Sequence, residues 1–330
     1  MTTVYDTAVA GLYVIPLPTP FPIGPVNAYL AVQDEVTLID VGVKSDESYA
    51  ALVDGLTALN LRVADIDRIL ITHHHTDHIG LVDRIAADSG AEVWCHAACV
   101  PYVERPQETR ERLNAWTLGV WQEAGAPESL LALTGQLLQW FVTLGNGPVR
   151  VTRVLEDCDW LELAGRKWQV LHTPGHAGDL ICLLQPDDRI LLSSDHLLRD
   201  VSSNALVEPP APGQKRPRRL LEYMAQLERV AALTPEIAYG GHGKPTRNIP
   251  EVVRNRLAFH RKRAMQIHDF LADAPLSLYE ISELVFPNIS EAEKFLALSE
   301  VLGHVDWLEH DGLVERVPSE DGIVRWRVTR

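Results

Sequence analysis

The chain has 330 residues, 46% of them hydrophobic and 23% charged, which is ordinary globular composition and enough length for one large core plus a smaller domain. Its formal charge of −15 argues against a broad phosphate-binding surface, because nucleic acid is usually held by clustered Lys and Arg. No stretch approaches the roughly 18 uninterrupted apolar residues of a membrane span, and the start MTTVYDTAVAGLYVIPLP has neither a basic segment nor a small-residue cleavage site, so a cytoplasmic protein with no membrane partner is expected.

The opening segments LYVIPLP, NAYLAV and VTLIDVG are rich in β-branched or aromatic residues and bounded by Pro, Gly or Asp, which predicts strands of an inner sheet. Asp46 to Leu59 then sets Tyr49, Leu52, Val53, Leu56 and Leu59 at helical spacing, and IDRILITHHH reads as a buried strand that delivers histidines at its C-terminal end. LVDRIAADSG reads as a helix closed by Gly90, followed by the strand AEVWCHA. The second half repeats the style with WLELAGRKWQVLHTPGH, DLICLLQP and RILLSSDHLL, then a helix from about Arg218 to Leu233 before EIAYGGHG. This alternation predicts two sheets packed face to face with helices flanking both.

Two segments depart from the pattern. Residues 104–147 are Leu-rich, carry Trp116, Trp121, Trp140 and Phe141 at helical spacings and break at Gly125 to Pro127, which predicts an inserted helical hairpin. Residues 251–330 read as a linker helix, two further helices and a hairpin turning near Ser319 to Gly322, the order of a winged helix-turn-helix. The expected organisation is therefore a catalytic domain over 1–250 and a smaller domain over 251–330.

The run Thr72-His73-His74-His75-Thr76-Asp77-His78 carries the spacing His-x-His-x-Asp-His, four metal-type ligands within six residues. Strand alternation would point His73 and His75 the same way and leave the following loop to turn Asp77 and His78 toward an adjacent point. Pairs of catalytic metals lie about 3.5 to 4 Å apart and need a bridging oxygen. His176 in TPGHAGD, Asp195 in LLSSDHLL and His242 in GGHGKP each follow a predicted strand and sit among small or turn-forming residues, so they can complete such a pair.

The ordered set THHHTDH, TPGH, SSDH and GGHGKP resembles the metallo-β-lactamase superfamily of hydrolases over about residues 10–245. The resemblance implies a four-layer αββα sandwich, here with the helical insertion and the winged-helix tail. It implies that His73, His75 and His176 bind a first metal, that Asp77, His78 and His242 bind a second, and that Asp195 bridges. Two divalent ions, zinc ahead of iron or manganese, would then activate one water. Asp77 would also orient that water or relay a proton to the leaving group. GPVNAYLAV followed by LIDVG, together with the tail, is similar to the branch containing lactamase-like endoribonucleases and thioesterases related to hydroxyacylglutathione hydrolases.

Other residues invite plainer readings. His74 alternates away from its neighbours and is expected to pack or hydrogen-bond. Cys95, His96 and Cys99 lack a fourth ligand nearby, and all four cysteines, Cys158 and Cys182 included, are expected as buried thiols. Asp40 is expected to orient a ligand histidine, while His196 reads either as a packed histidine or as an acid or substrate contact. Lys215-Arg216-Pro217-Arg218-Arg219 reads as a solvated cluster or an anion site. Residues 251–330 hold 14 acidic and 10 basic side chains, a net of −4, and Glu291 to His310 has five acids against Lys294 alone, so nucleic acid is a disfavoured partner.

The expected function is hydrolysis of a carboxylic ester, an acyl-CoA or glutathione type thioester, or a lactone, with a small acyl substrate as partner. A metal-dependent endoribonuclease or phosphodiesterase is the alternative. The insertion's aromatic residues serve either an acyl pocket or helix packing, and the tail and insertion are both plausible surfaces of a homodimer.

Overall fold

Seven strands from the first half pair in sequence order into one sheet: β1 (Tyr5–Asp6), β2 (Leu12–Leu17), β3 (Val26–Val32), β4 (Val36–Ile39), β5 (Arg68–Ile71), β6 (Glu92–His96) and β7 (Arg153–Leu155). The computed structural model describes residues 2–211, 213–317 and 320–329 of the chain. The first four strands run antiparallel, and β4 to β7 are parallel because helices carry the crossovers. The first two of those crossovers are α1 (Asp46–Ala58), capped by the Ser45 side chain, and α3 (Val82–Ser89), closed by Gly90 at φ +75°; the single turn α2 (Thr76–Ile79) lies between them. The expected apolar stripe of α1 holds at Leu52 and Leu56, whereas Val53 faces solvent.

The second sheet has the order β13 (Thr246–Arg247), β12 (Ile237–Gly240), β11 (Ile190–Ser194), β10 (Ile181–Gln185), β9 (Arg166–His172), β8 (Trp160–Leu163). Tyr29, Ile39, Leu70 and Trp94 of the first sheet meet Leu161, Trp168, Ile181, Leu192 and Ile237 of the second in one core. Because each sheet is also covered on its outer face, β5 and β11 are buried at every position rather than alternately. Leu52, Leu56, Val82 and Ile85 cover the first sheet, and α7 (Arg219–Ala232) covers the second with Leu220, Tyr223, Leu227 and Val230. The result is the expected four layers, helix, sheet, sheet, helix.

The two departing segments share a core with each other. After the short α4 (Val100–Glu104), the insertion forms α5 (Pro106–Glu123) and α6 (Glu128–Thr143), and Trp121 and Leu130 pack with residues of α8 (Ile249–Phe270), α9 (Leu278–Val285) and α10 (Lys294–His310). Val253 of α8 packs under the second sheet while its Ile267 joins this other core, so one helix spans both. A strand β14 (Leu276–Ser277) and the hairpin β15 (Val314–Val317) and β16 (Arg325–Val328) form a third sheet, in the order β14, β16, β15. Of the turn expected near Ser319 to Gly322, Ser319 lies outside the described residues. No helix among the described residues is long and apolar enough to cross a membrane.

Candidate metal centre

β9 and β11 both run antiparallel to β10, and β12 is parallel to β11, so β9, β11 and β12 end at one edge of the second sheet. His176, Asp195 and His242 follow those three ends, and the histidine run follows β5. The reason given by strand alternation for His73 and His75 needs correction: β5 stops at Ile71, and the two residues meet through a loop that ends with His75 at the N-terminus of α2. Their rings still converge, with His73 Nε2 and His75 Nδ1 3.1 Å apart.

Three groups of ligand atoms each lie within 4.8 Å of one another: His73, His75 and His176; Asp77, His78 and His242; and His73, His78 and Asp195. The first two are the sets expected for two metals, and Asp195 falls between them because its group takes one histidine from each. All seven expected residues are therefore together, buried except for the half-buried His75 and His176, which mark the open side. His74 is not among them. Its Nδ1 pairs with Asp179 at 2.8 Å and its ring stacks on Tyr102 at 3.8 Å.

The groups behind the ligands fix which nitrogen faces the cluster. A carbonyl oxygen can only accept, so His176 Nδ1 donates to the Asn204 carbonyl (2.8 Å) and His242 Nδ1 donates to that of Pro25 (2.9 Å), leaving each Nε2 as a lone pair turned inward in the neutral ring. Asp40 acts on two ligands at once. Its Oδ2 lies 2.7 Å from His78 Nδ1 and also accepts the Thr72 hydroxyl proton at 2.8 Å, while Oδ1 accepts from the Thr72 amide at 2.9 Å. Since that proton goes to Asp40, the Thr72 oxygen faces His73 Nδ1, 3.1 Å away, as an acceptor.

Local backbone serves the same end. Asp40 and Ser194 adopt φ of +58° and +44°, an unfavourable region for residues with a side chain, and β11 shifts register against β12 between Leu192 and Ser194 just before Asp195. Gly241 must be glycine for space: a Cβ there would stand 2.2 Å from Asp195 Oδ1 and 2.8 Å from His78 Cε1.

The electrostatics fit cations. His78 Nε2, His176 Nε2 and Asp195 Oδ1 are buried without a hydrogen-bond partner among the described residues, which is costly unless something else coordinates them. Burial, then the neighbouring imidazoles, push His73 and His75 well below the usual histidine range. Burial pushes His78 down too, but Asp195, Asp40 and Asp77 outweigh it and hold the ring well above that range. Burial would raise Asp195, yet His78, His242 and His176 keep its carboxyl well below the ordinary value. Five imidazoles and two carboxylates in this space suit two divalent ions better than a set of protons.

Residues 22–242 match the family model described as the metallo-beta-lactamase superfamily. The chain belongs to the metallo-beta-lactamase superfamily. It is 32% identical over 301 residues to the probable metallo-hydrolase YqjP of Bacillus subtilis (strain 168), covering 89% of this chain and 91% of that one. A solved metallo-beta-lactamase family protein of Thermus thermophilus superposes with a TM-score of 0.83 at 28% identity, over 98% of this chain and 100% of the other. A further relative, the atrochrysone carboxyl ACP thioesterase AgnL7 of Paecilomyces divaricatus, is 24% identical over 194 residues, 56% of this chain and 55% of that protein. This member of the superfamily is thus a metallo-hydrolase whose His and Asp clusters are suited to binding metal ions.

Several expectations change at the periphery. Cys95, Cys99 and Cys182 are buried thiols, but Cys158 is exposed, at φ +70° in the turn before β8. His96 stacks on His172 at 3.9 Å, and none of Cys95, His96 and Cys99 belongs to a metal-type group among the described residues. His196 is buried against Tyr223 and burial lowers it to about 3, the packed reading of that residue. Lys215 is exposed, but the three arginines of the basic run are tied down rather than free for solvent or an anion: Arg216 pairs with Asp306, Arg218 with Glu309, and Arg219 with Glu208 and Glu222. Asp179, Asn204 and the Pro25 carbonyl were not anticipated. For Asp179 a signal existed in TPGHAGD, an acid three residues after a ligand; for carbonyl acceptors there is none.

Proposed function

We propose that the centre hydrolyses a carboxylic thioester or ester whose acyl group is apolar, with two divalent ions, zinc first, held by His73, His75, Asp77, His78, His176, Asp195 and His242. The observation that carries the substrate class is an aromatic rim. Phe21 meets Trp140 edge-on at 5.9 Å and Phe141 at 5.7 Å, and Phe141 in turn approaches Phe295 of α10 at 6.1 Å. Trp140 remains 40% exposed.

Both parts of the rim are anchored to elements that bear ligands. The loop holding Phe21 ends at Pro25, whose carbonyl receives His242 Nδ1. Just past α6, the Leu144 carbonyl accepts from the Lys44 amide at 2.8 Å and presses on Gly80, two residues after His78. An acyl chain lying on the rim would thus rest on the segments that carry His78 and His242. The ACP thioesterase relative supports this reading, as does the pairing of Arg216, Arg218 and Arg219, which removes the obvious cations for a polyphosphate backbone.

Two bound divalent ions would supply Lewis acidity and an activated water. Asp195 holds the two triplets at one spacing. Asp77 faces His242 through Oδ2 at 3.2 Å, which leaves Oδ1 to orient the water and carry its proton to the leaving thiol or alcohol. The test is a panel of acyl thioesters of rising chain length, lactones and single-stranded RNA, run on the metal-loaded wild type and His75→Ala. Thioester cleavage that improves with chain length and disappears in the variant supports the assignment; RNA cleavage without acyl hydrolysis would replace it with a phosphodiesterase.

A further inference from the structure

Between β11 and α7 the described residues form no helix or strand, and residues 203–208 form a strap wedged between the metal centre and α10. One side of the strap holds ligands. The Asn204 carbonyl receives His176 Nδ1, the Leu206 amide donates to the His176 carbonyl at 3.3 Å, and the Ser203 hydroxyl donates to the Asp195 carbonyl. Glu208 accepts from the Gly178 amide at 2.8 Å, two residues beyond His176.

The other side is latched to the C-terminal segment. Asn204 Nδ2 donates to the Leu296 carbonyl at 2.9 Å. The Val207 amide donates to Ser299 Oγ at 2.8 Å, and that hydroxyl donates to the Ala205 carbonyl at 3.3 Å, so one buried serine satisfies two backbone groups of the strap. Ser202 reaches His260 of α8 at 3.1 Å, and Val207 enters the core shared with Leu298 and Leu302. A helix would satisfy its own backbone and a strand would pair along a sheet; this strap depends on side chains and carbonyls of its neighbours to do so.

We propose that Ser299 and Asn204 are positioning residues for the metal ligand His176. α10 fixes the strap, the strap presents the Asn204 carbonyl to His176 Nδ1, and that contact selects the tautomer whose Nε2 faces His73 and His75. The C-terminal segment is in this way part of the metal centre without touching a metal. The inference rests on the reading that the cluster holds metal, and is independent of the substrate.

The experiment uses the full chain stripped of metal, titrated with zinc against a chromophoric chelator, alongside thermal unfolding of the metal-free form. Ser299→Ala is expected to weaken one of two zinc ions about tenfold, the lower end of what loss of such outer contacts costs, while Ser299→Thr restores binding. Asn204→Ala, which removes only the latch to Leu296, is the independent arm and should weaken the same ion. Leu308→Ala, buried in the same core away from the strap, is the control: it should lower thermal stability at least as much and bind both ions as the wild type does. Wild-type affinity in Ser299→Ala and Asn204→Ala, or an equal loss in Leu308→Ala, overturns the proposal. A wild-type chain that takes up no zinc would overturn the metal reading beneath it.

Discussion

Asp40→Asn is the most informative single change, because Asp40 is 2% exposed and accepts three hydrogen bonds that fix two ligand histidines. Asparagine has the same shape but only one oxygen. With its oxygen toward the Thr72 amide, its NH2 group confronts His78 Nδ1 and the Thr72 hydroxyl. His78 must then accept at Nδ1 and carry its proton on Nε2, the atom that faces Asp195 at 3.5 Å and should bind metal. With the amide reversed, the NH2 confronts the Thr72 N–H, leaving a buried donor unpaired at about 1–3 kcal/mol. Changes of this kind cost about 10- to 100-fold in metal affinity, or roughly 1.4–2.7 kcal/mol at 1.36 kcal/mol per decade. Because Thr72 also orients His73, both ions should weaken. Chelator competition on the stripped variant measures this directly, with circular dichroism to establish folding. A folded Asp40→Asn protein that binds two ions with wild-type affinity would refute the tautomer argument.

Gly241→Ala should fold yet lose metal, because its Cβ would stand 2.2 Å from Asp195 Oδ1; elemental analysis showing two ions per chain would contradict this. Trp140→Ala should raise KM for long-chain thioesters about tenfold, the scale of one or two lost apolar contacts, and leave acetyl thioesters nearly unchanged; an equal effect on both would remove Trp140 from the acyl site. His304 and His260 are held, chiefly by burial, at about 3 and about 4, below the ordinary histidine value of 6.5. Below that value the unfolded chain takes up protons that the folded chain refuses, so the stability they allow is full above about pH 6.5 and falls as pH drops toward their folded values. Thermal unfolding followed from about pH 7 to 4 should show a shallower decline in His304→Gln than in wild type; parallel curves would exclude the pair as the acid-sensitive element.

The candidate ligands were legible because metal chemistry demands particular residue types at fixed places after strands, and THHHTDH, TPGH, SSDH and GGHGKP satisfy that demand in one chain. The layers were legible for a related reason: the unbroken apolar runs Ile69 to Ile71 in β5 and Ile190 to Leu192 in β11 only make sense in sheets covered on both faces. What escaped was pairing across distance. Alternation along the run sets His74 apart from its neighbours although the segment is a loop, and nothing in the run shows that Asp179, 105 residues later, receives it. The arginines at 216, 218 and 219 looked available for an anion because their partners Asp306, Glu309 and Glu208 are separated from them in sequence. Backbone acceptors such as the Pro25 and Asn204 carbonyls carry no residue signature at all.

Those hidden pairings connect the parts that sequence reading kept apart. Arg216 and Arg218 tie the approach to α7 onto the end of α10, Asn204 and Val207 tie the strap onto its beginning, and Trp121 of the insertion packs into the core that α10 shares with α8 and α9. The Leu144 carbonyl, at the far end of the insertion, presses on the turn after His78. Insertion and C-terminal segment therefore brace the centre from two sides, one at the loop that carries Asp77 and His78 and one at the loop that carries His176. A chain shortened at residue 250 would keep all seven ligands while exposing Trp121, Val207 and the unpaired strap. The shortened chain also lacks Val253 under the second sheet, so weakened metal binding should be accompanied by a lower melting temperature of the two-sheet core.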